Sequence, residues 1–370
     1  MKKLACFILF CLIVFSAYGS QKKWKGKIYE EQGVTIIENE GPGLWEKKPS
    51  KLINFEEDLI IGEEAGKDYL LFREELDVAV DSAGNIYILD IGNHRVLKFN
   101  GKGGFIWETG RSGQGPGEFQ SRPYQNYYSI HLTPSEDIAV RDDRSIHLFD
   151  KNSDYQKTLK IDRYIWDFDF FPDGNLLISL ALMSKIGNSA AFYSSDGTFE
   201  SAFPDEYIYE TIKSRMGIVC GARYIVHSDK VYVSLPGPYE IREYDFEGKL
   251  LRKIRRDLKL ESPFIKSLEE GRKWQTSDVS GPCFVSPDGK IANFVTLVEE
   301  KEKVKRIIRG VETTWTPLEF HKSLDIFSEK GQFLGSYVLE ERELRFIDER
   351  DFFYFSVKDP YPRVIRARLK

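Results

Sequence analysis

From Leu76 to Pro123 the chain alternates apolar and polar positions in four short runs, LDVAV, NIYILD, RVLKF and FIWET. A period of two places the apolar side chains of a run on one face of a β-strand. Clusters of Gly, Asn and Asp separate the runs at Asp81–Asn85, Gly92–His94 and Gly101–Gly104. These residue types accept the backbone geometry of tight turns. Four short antiparallel strands joined in this way are the pattern of one propeller blade. One such sheet cannot bury both of its faces alone, so the pattern predicts further copies packed on either side.

The copies are legible through their turns. The turn between first and second strands reads DSAGN here and recurs as TPSED (Thr133–Asp137), FPDGN (Phe171–Asn175), HSDK (His227–Lys230), SPDGK (Ser286–Lys290) and DERD (Asp348–Asp351). The turn between third and fourth strands recurs as NGKGG, DKNSD, SSDGT, DFEGK and SEKGQ. Six blades follow. The last has three strand runs, Leu344–Ile347, Phe352–Val357 and Arg363–Leu369. Its fourth strand is expected from Leu52–Phe72, which reads as a divergent copy of Phe105–Phe119 and closes the ring non-covalently. Gly33–Glu40 is a further edge-strand candidate, and Ser20–Lys27 is expected to be a mobile leader. The fold class is thus all-β, a six-bladed β-propeller of four-stranded antiparallel blades closed by an N-terminal strand.

The stretch SAGNIYILDIGNHRVLKF followed by GRSGQGPGEFQSRP resembles the NHL type of repeat, over Leu76–Pro123 and only faintly in the other blades. The mature chain as a whole resembles exported bacterial six-bladed propellers of that type. The resemblance implies the fold and leaves function open, since such folds host binding, lactonase and lyase activities alike. It also implies a structural role for Asn93 and Arg95, tying a turn to the neighbouring blade.

Composition sharpens the picture at the N-terminus. Lys2 and Lys3 precede an apolar run from Leu4 to Phe15, and Ala17 and Gly19 are small residues two apart. That is the layout of a signal peptide over residues 1–19, too short to span a bilayer. No second apolar run of spanning length follows. A leader or edge segment over 20–51 and the propeller over 52–370 complete the expected organisation, and the protein is expected to be exported, periplasmic or extracellular. Cys6 and Cys11 leave with the signal. Cys220 and Cys283 remain, either as a disulfide or as two buried thiols. The formal net charge is −5 and grows more negative when the two signal lysines are removed, which argues against nucleic acid as a partner.

Antiparallel connection sorts the loops onto two faces. First-to-second and third-to-fourth turns share one face, are short, and read as backbone chemistry. The other face carries the long connections Trp107–Tyr128, Phe203–Cys220, Asp257–Pro282 and Glu299–Ser323. Pro204–Gly217 and Ser262–Trp274 read as short helices, and Lys303–Phe320 as a hairpin turning at Arg309–Gly310. Basic and aromatic residues gather on this long-loop face: Arg111, Arg122, Tyr124, Arg141, Arg144 and Tyr239, then Trp274, Trp315, His321, Tyr361 and Arg363. Arg with aromatics on rigidly held loops is a composition of binding interfaces. A protein, peptide or glycan ligand of a monomeric scaffold is the expected partner.

Catalytic patterns do not emerge. HExxH, CxxC and GxSxG are missing, and the five His are scattered. His131 and His147 fall in strand runs, where a structural role is expected. The reading is a binding scaffold with no cofactor. The alternative is a metal-dependent lactonase, hydrolase or lyase at the channel mouth, for which Asp77, Asp167 and Asp169 are the candidate ligands.

Overall fold

A computed structural model describes residues 24–45, 54–119, 128–180, 188–205, 222–236, 239–256, 280–300, 304–308, 311–315, 318–339 and 341–370. Three strands precede the first complete blade: β1 (Gly26–Glu31), β2 (Val34–Asn39) and β3 (Phe55–Ile61). Blade 1 is β4 (Leu76–Val80), β5 (Ile86–Asp90), β6 (Arg95–Phe99) and β7 (Phe105–Thr109). Blade 2 is β8 (Tyr128–Leu132), β9 (Ile138–Asp142), β10 (Ser145–Phe149) and β11 (Tyr155–Lys160). Blade 3 is β12 (Ile165–Phe170), β13 (Leu176–Leu180), β14 (Ala190–Tyr193) and β15 (Phe199–Ala202). Blade 4 contains β16 (Tyr224–His227), β17 (Lys230–Pro236), β18 (Tyr239–Tyr244) and β19 (Leu250–Arg256). Blade 5 is built on β20 (Ser280–Val285) and β21 (Ile291–Glu300). The separate hairpin of β22 (Val304–Ile308) and β23 (Val311–Trp315) comes next, and the blade resumes with β24 (Leu318–Phe327) and β25 (Phe333–Val338). Blade 6 is β26 (Arg342–Ile347), β27 (Phe352–Val357) and β28 (Arg363–Leu369), with β3 as its outer strand.

The apolar face of each strand run is used between blades. Among the described residues six buried clusters are present, one for each pair of neighbours. The cluster joining blades 6 and 1, for example, combines Ile61, Tyr354 and Val364 with Leu76, Val78 and Leu97. The core is therefore a ring of sheet-to-sheet layers around an axis lined by the six inner strands. At the joint, β28 pairs antiparallel with β3, Val364 opposite Ile61 and Leu369 opposite Phe55. This pairing gives the outer edge of β28 its hydrogen-bonding partner.

Blade 4 departs from the four-stranded pattern. β2 adds to it parallel to β19, with Ile37 opposite Ile254, and β1 covers β2 as a sixth strand. Gly26 and Lys27, expected in a mobile leader, already belong to β1. Asn39 anchors the addition: its Nδ2 donates to Arg255 O (3.1 Å) and Gly331 O (3.0 Å), and its Oδ1 accepts from Phe333 N (2.7 Å) and Trp24 Nε1 (2.9 Å). The chain then runs onto blade 5, where Leu44 N and Trp45 N donate to Phe333 O and Leu334 O. A Cβ on Gly43 would lie 2.2 Å from Leu334 O, so only glycine permits that approach. Residues 24–45 thus strap blade 4 to blade 5 from outside.

Candidate functional site

The inner edge of each blade faces the axis with unpaired backbone N–H groups, which need partners when buried. Side chains of the preceding blade supply some of them. Asp77 accepts from Ile130 N at 3.0 Å, Asp169 from Val226 N at 2.9 Å, and Ser179 from Tyr224 N at 3.3 Å. Asp77 and Asp167 each lie four residues before the residue that opens a first-to-second turn, Asp81 or Phe171. Ser129 holds that place before Thr133 in blade 2, and Arg223 before His227 in blade 4. A polar layer therefore crosses the channel about 13 Å below the turns, at ~3.3 Å per strand residue.

Its members are paired with one another. Arg223 Nε lies 2.7 Å from Asp167 Oδ2, and His131 Nε2 lies 3.2 Å from Asp167 Oδ1. His131 Nδ1 is 3.8 Å from Asp169, and the ring rests on Phe168 with centroids 4.6 Å apart. Arg141 donates to Ser129 Oγ (3.1 Å) and Ile165 O (2.8 Å). Burial is the largest influence on each group, and the pairing decides the outcome. Burial pushes the Asp167 carboxyl upward, but Arg223, His131 and Arg141 outweigh it and hold the pKa well below the ordinary range. Burial disfavours a charged His131 ring, yet the Asp167 hydrogen bond and the charges of Asp167 and Asp169 raise its pKa. Asp169, without a guanidinium against it, is raised by burial. Burial also pushes Arg141 down to about 10 and the Cys283 thiol up to about 12.

Toward the short-turn face this layer opens into a cavity of about 730 Å³ to which all six blades contribute. Arg223 and Arg345 line its inner part, four and three residues before their turns, and His131 and Asp169 stand nearer the rim, two residues before theirs. Val78, Ile130, Leu132, Ile225, Phe284 and Phe346 are among its apolar walls. Asp81, Ser82, Glu136, His227, Ser228 and Glu349 stand at the rim. The face expected to be bland therefore holds a cavity, because its short turns leave the channel open.

Several expected contact residues lie elsewhere than on a free loop surface. Arg141 and Tyr239 are buried within the ring, and the Tyr239 hydroxyl donates to Asp325 Oδ2 at 2.8 Å. Arg111 is exposed but paired with Glu118, whose other oxygen accepts from Gly115 N, so it braces its own loop. Arg144 stacks on Tyr164 at 3.8 Å. Arg363 donates to Asp359 O and Tyr361 O and sits over the Tyr361 ring. Trp315 ends β23 and His321 lies in β24. Arg122, Tyr124 and Trp274 lie outside the described residues, as do Cys220 and nearly all of the two expected helices. Cys283 is a buried free thiol. The hairpin pairs Ile308 with Val311, and the expected turn residues 309–310 lie outside the described residues. Asn93 donates to Leu71 O and Asp90, and Arg95 to Asp90, Asp68 O and Leu71 O, pinning the connection from blade 6 into blade 1.

The three carboxylates weighed for a channel metal do not form a ligand set. Asp77 and Asp169 accept backbone N–H groups and Asp167 pairs with Arg223. No group of three or more His, Cys, Asp or Glu able to hold a metal ion occurs among the described residues. Arg223 and Arg345 escaped the sequence reading, and His131 was read there as structural. The signal available for Arg223 was its place four residues before a turn, where two other blades carry Asp.

Ring, strand order and channel together define a six-bladed β-propeller with a charged polar layer on its axis. The chain belongs to the DUF5128 family, described as a 6-bladed beta-propeller, whose profile matches residues 68–305. No curated protein matches it. A DUF4221 family member from Bacteroides vulgatus is similar in structure, at 9% identity and a TM-score of 0.59, covering 86% of this chain and 98% of its own. A candidate exported protein of Bacteroides fragilis is similar at 13% identity and a TM-score of 0.54, covering 90% and 99%. Virginiamycin B lyase from Staphylococcus aureus matches at 11% identity and a TM-score of 0.46, covering 86% and 100%. At these identities the likeness to the two Bacteroides proteins shows the fold alone. Among the described residues no helix is long and apolar enough to cross a membrane.

Proposed function

We propose that this protein is an exported, monomeric binding scaffold that takes a small molecule into the short-turn end of its channel. The observation that carries this reading is the cavity of about 730 Å³, within the usual range for ligand pockets, walled by rigid inner strands and ended by convergent polar groups. Residues already held by the blades lose little freedom on binding. Binding is favoured over metal-dependent lactonase or lyase chemistry because Asp77, Asp167 and Asp169 are engaged with backbone and arginine. Ligand-observed NMR with a fragment library of mixed charge tests it. Fragments should bind the wild type and lose binding in Ile130→Trp, which fills the cavity. Equal binding to both proteins, or no binding to either, would overturn the channel site.

A second reading, recognition of a protein, peptide or glycan on the long-loop face, is favoured by one observation. β21 and β24 are ten residues long and continue past their blade toward the β22–β23 hairpin. Export rests on the N-terminal pattern over residues 1–19, and the mass of the mature protein recovered from cell fractions tests it. Cleavage before Ser20 is the expected result.

A further inference from the structure

We infer that the channel site selects an amphipathic carboxylate, with its head on Arg223 and Arg345 and its apolar body along the walls; this rests on the channel reading above. Arg223 comes from the start of blade 4 and Arg345 from the inner strand of blade 6, and both line the cavity. The Arg223 guanidinium is ion-paired with Asp167, its buried Nε 2.7 Å from Oδ2 but without hydrogen-bond geometry, and lies over Phe284 at 4.9 Å. Its two Nη groups make no hydrogen bond among the described residues. Arg345 donates Nε to Ser356 Oγ (2.8 Å) and Nη2 to Glu343 Oε2 (2.5 Å), leaving Nη1 in the same position. None of these Nη atoms is among the buried unpartnered atoms of the described residues, so they are open to the cavity as donors. Their planar fork matches a carboxylate. Asp169 also lines the cavity, but both its oxygens already accept backbone N–H groups, from Val226 and Phe170. His131 opposes them from blade 2, held by Asp167.

Around and above the two arginines the walls are Val, Ile, Leu and Phe from five of the blades. An alkyl or aryl body laid against them leaves water and adds affinity that a bare carboxylate lacks. The carboxyl-terminated chain fits both ends of the site in one orientation, head inward.

Isothermal titration of the purified protein with octanoate, octanamide and acetate separates the contributions. Octanoate should bind about tenfold or more tightly than octanamide, which lacks the charge, and than acetate, which lacks the body. Arg223→Lys keeps a cation beside Asp167 but loses the fork, and Arg345→Gln removes the second one. Each should weaken octanoate about tenfold and leave octanamide unchanged, with thermal melts verifying the fold. Octanamide binding as tightly as octanoate, or acetate as tightly as octanoate, would overturn the inference. So would absence of saturable octanoate binding. If the mixed fragments still bind wild type and not Ile130→Trp, only the carboxylate class fails; if they bind neither, the channel reading falls with it.

Discussion

Asp167 is the residue on which the polar layer turns. It is nearly buried and carries Arg223 on one oxygen and His131 on the other. Asp167→Asn would leave the half-buried Arg223 guanidinium without its counter-charge, a change that costs about 2 kcal/mol. Urea unfolding at neutral pH should show that loss with an unchanged slope. The pH dependence has opposite signs for the two partners. The Asp167 pKa is held below its ordinary 3.8, so its stabilisation is present above that pH and lost as the pH falls toward the lower folded value. The His131 pKa is raised above 6.5, so its contribution is complete below that pH and lost as the pH rises through the folded value. The stability gap between wild type and His131→Phe should therefore be full below about pH 6.5 and shrink as the pH rises above it. Asp167, Asp169 and Arg223 are the charged groups whose fields act on that ring. A pH-independent gap would mean that the ring acts through packing on Phe168 alone.

At the scale of elements, turn chemistry made the blades legible, because Asp, Gly and Asn at fixed places close the same hydrogen bond each time. Asp81 N to Asn85 O, Thr133 N to Asp137 O and Ser286 N to Lys290 O are examples. The strap was only half legible. Gly33–Glu40 read as an edge strand, but its parallel partner β19 lies more than 200 residues away, and nothing local in either segment encodes that pairing. Asn39 does the joining, and it looks like an ordinary polar residue in a strand run. It is 1% exposed and bonded on both sides of its amide. Asn39→Ala should cost about 2 to 3 kcal/mol by leaving Phe333 N and two carbonyls unsatisfied. Hydrogen exchange should then quicken in residues 24–45 before it quickens in the blades.

For the whole molecule, residues evenly distributed among six interfaces make each blade depend on its neighbours, so the ring is expected to melt as a unit. The β22–β23 hairpin forms a sheet of its own, apart from the blades. Deleting residues 304–315 should shift the melting temperature by no more than about 2 °C, since β22 and β23 pair with each other and with no blade strand among the described residues. A pull-down with the same deletion tests partner recognition on that face; unchanged capture would remove the hairpin from it. The channel site was less legible than the ring, because it is assembled from residues more than 200 positions apart that share only a height along the axis. Arg223 and Arg345 stand in runs that alternate no differently from structural strands. The joint between β3 and β28 has a further consequence, for how the protein is made. The strand at Phe55–Ile61 is synthesised early, and its partner at Arg363–Leu369 comes some 300 residues later. Until that late segment emerges from the ribosome, β3 has no place in a sheet and blade 6 cannot seal the circle. A chain cut short by a premature stop would present raw strand edges to proteases, so the fold itself proofreads translation for completeness.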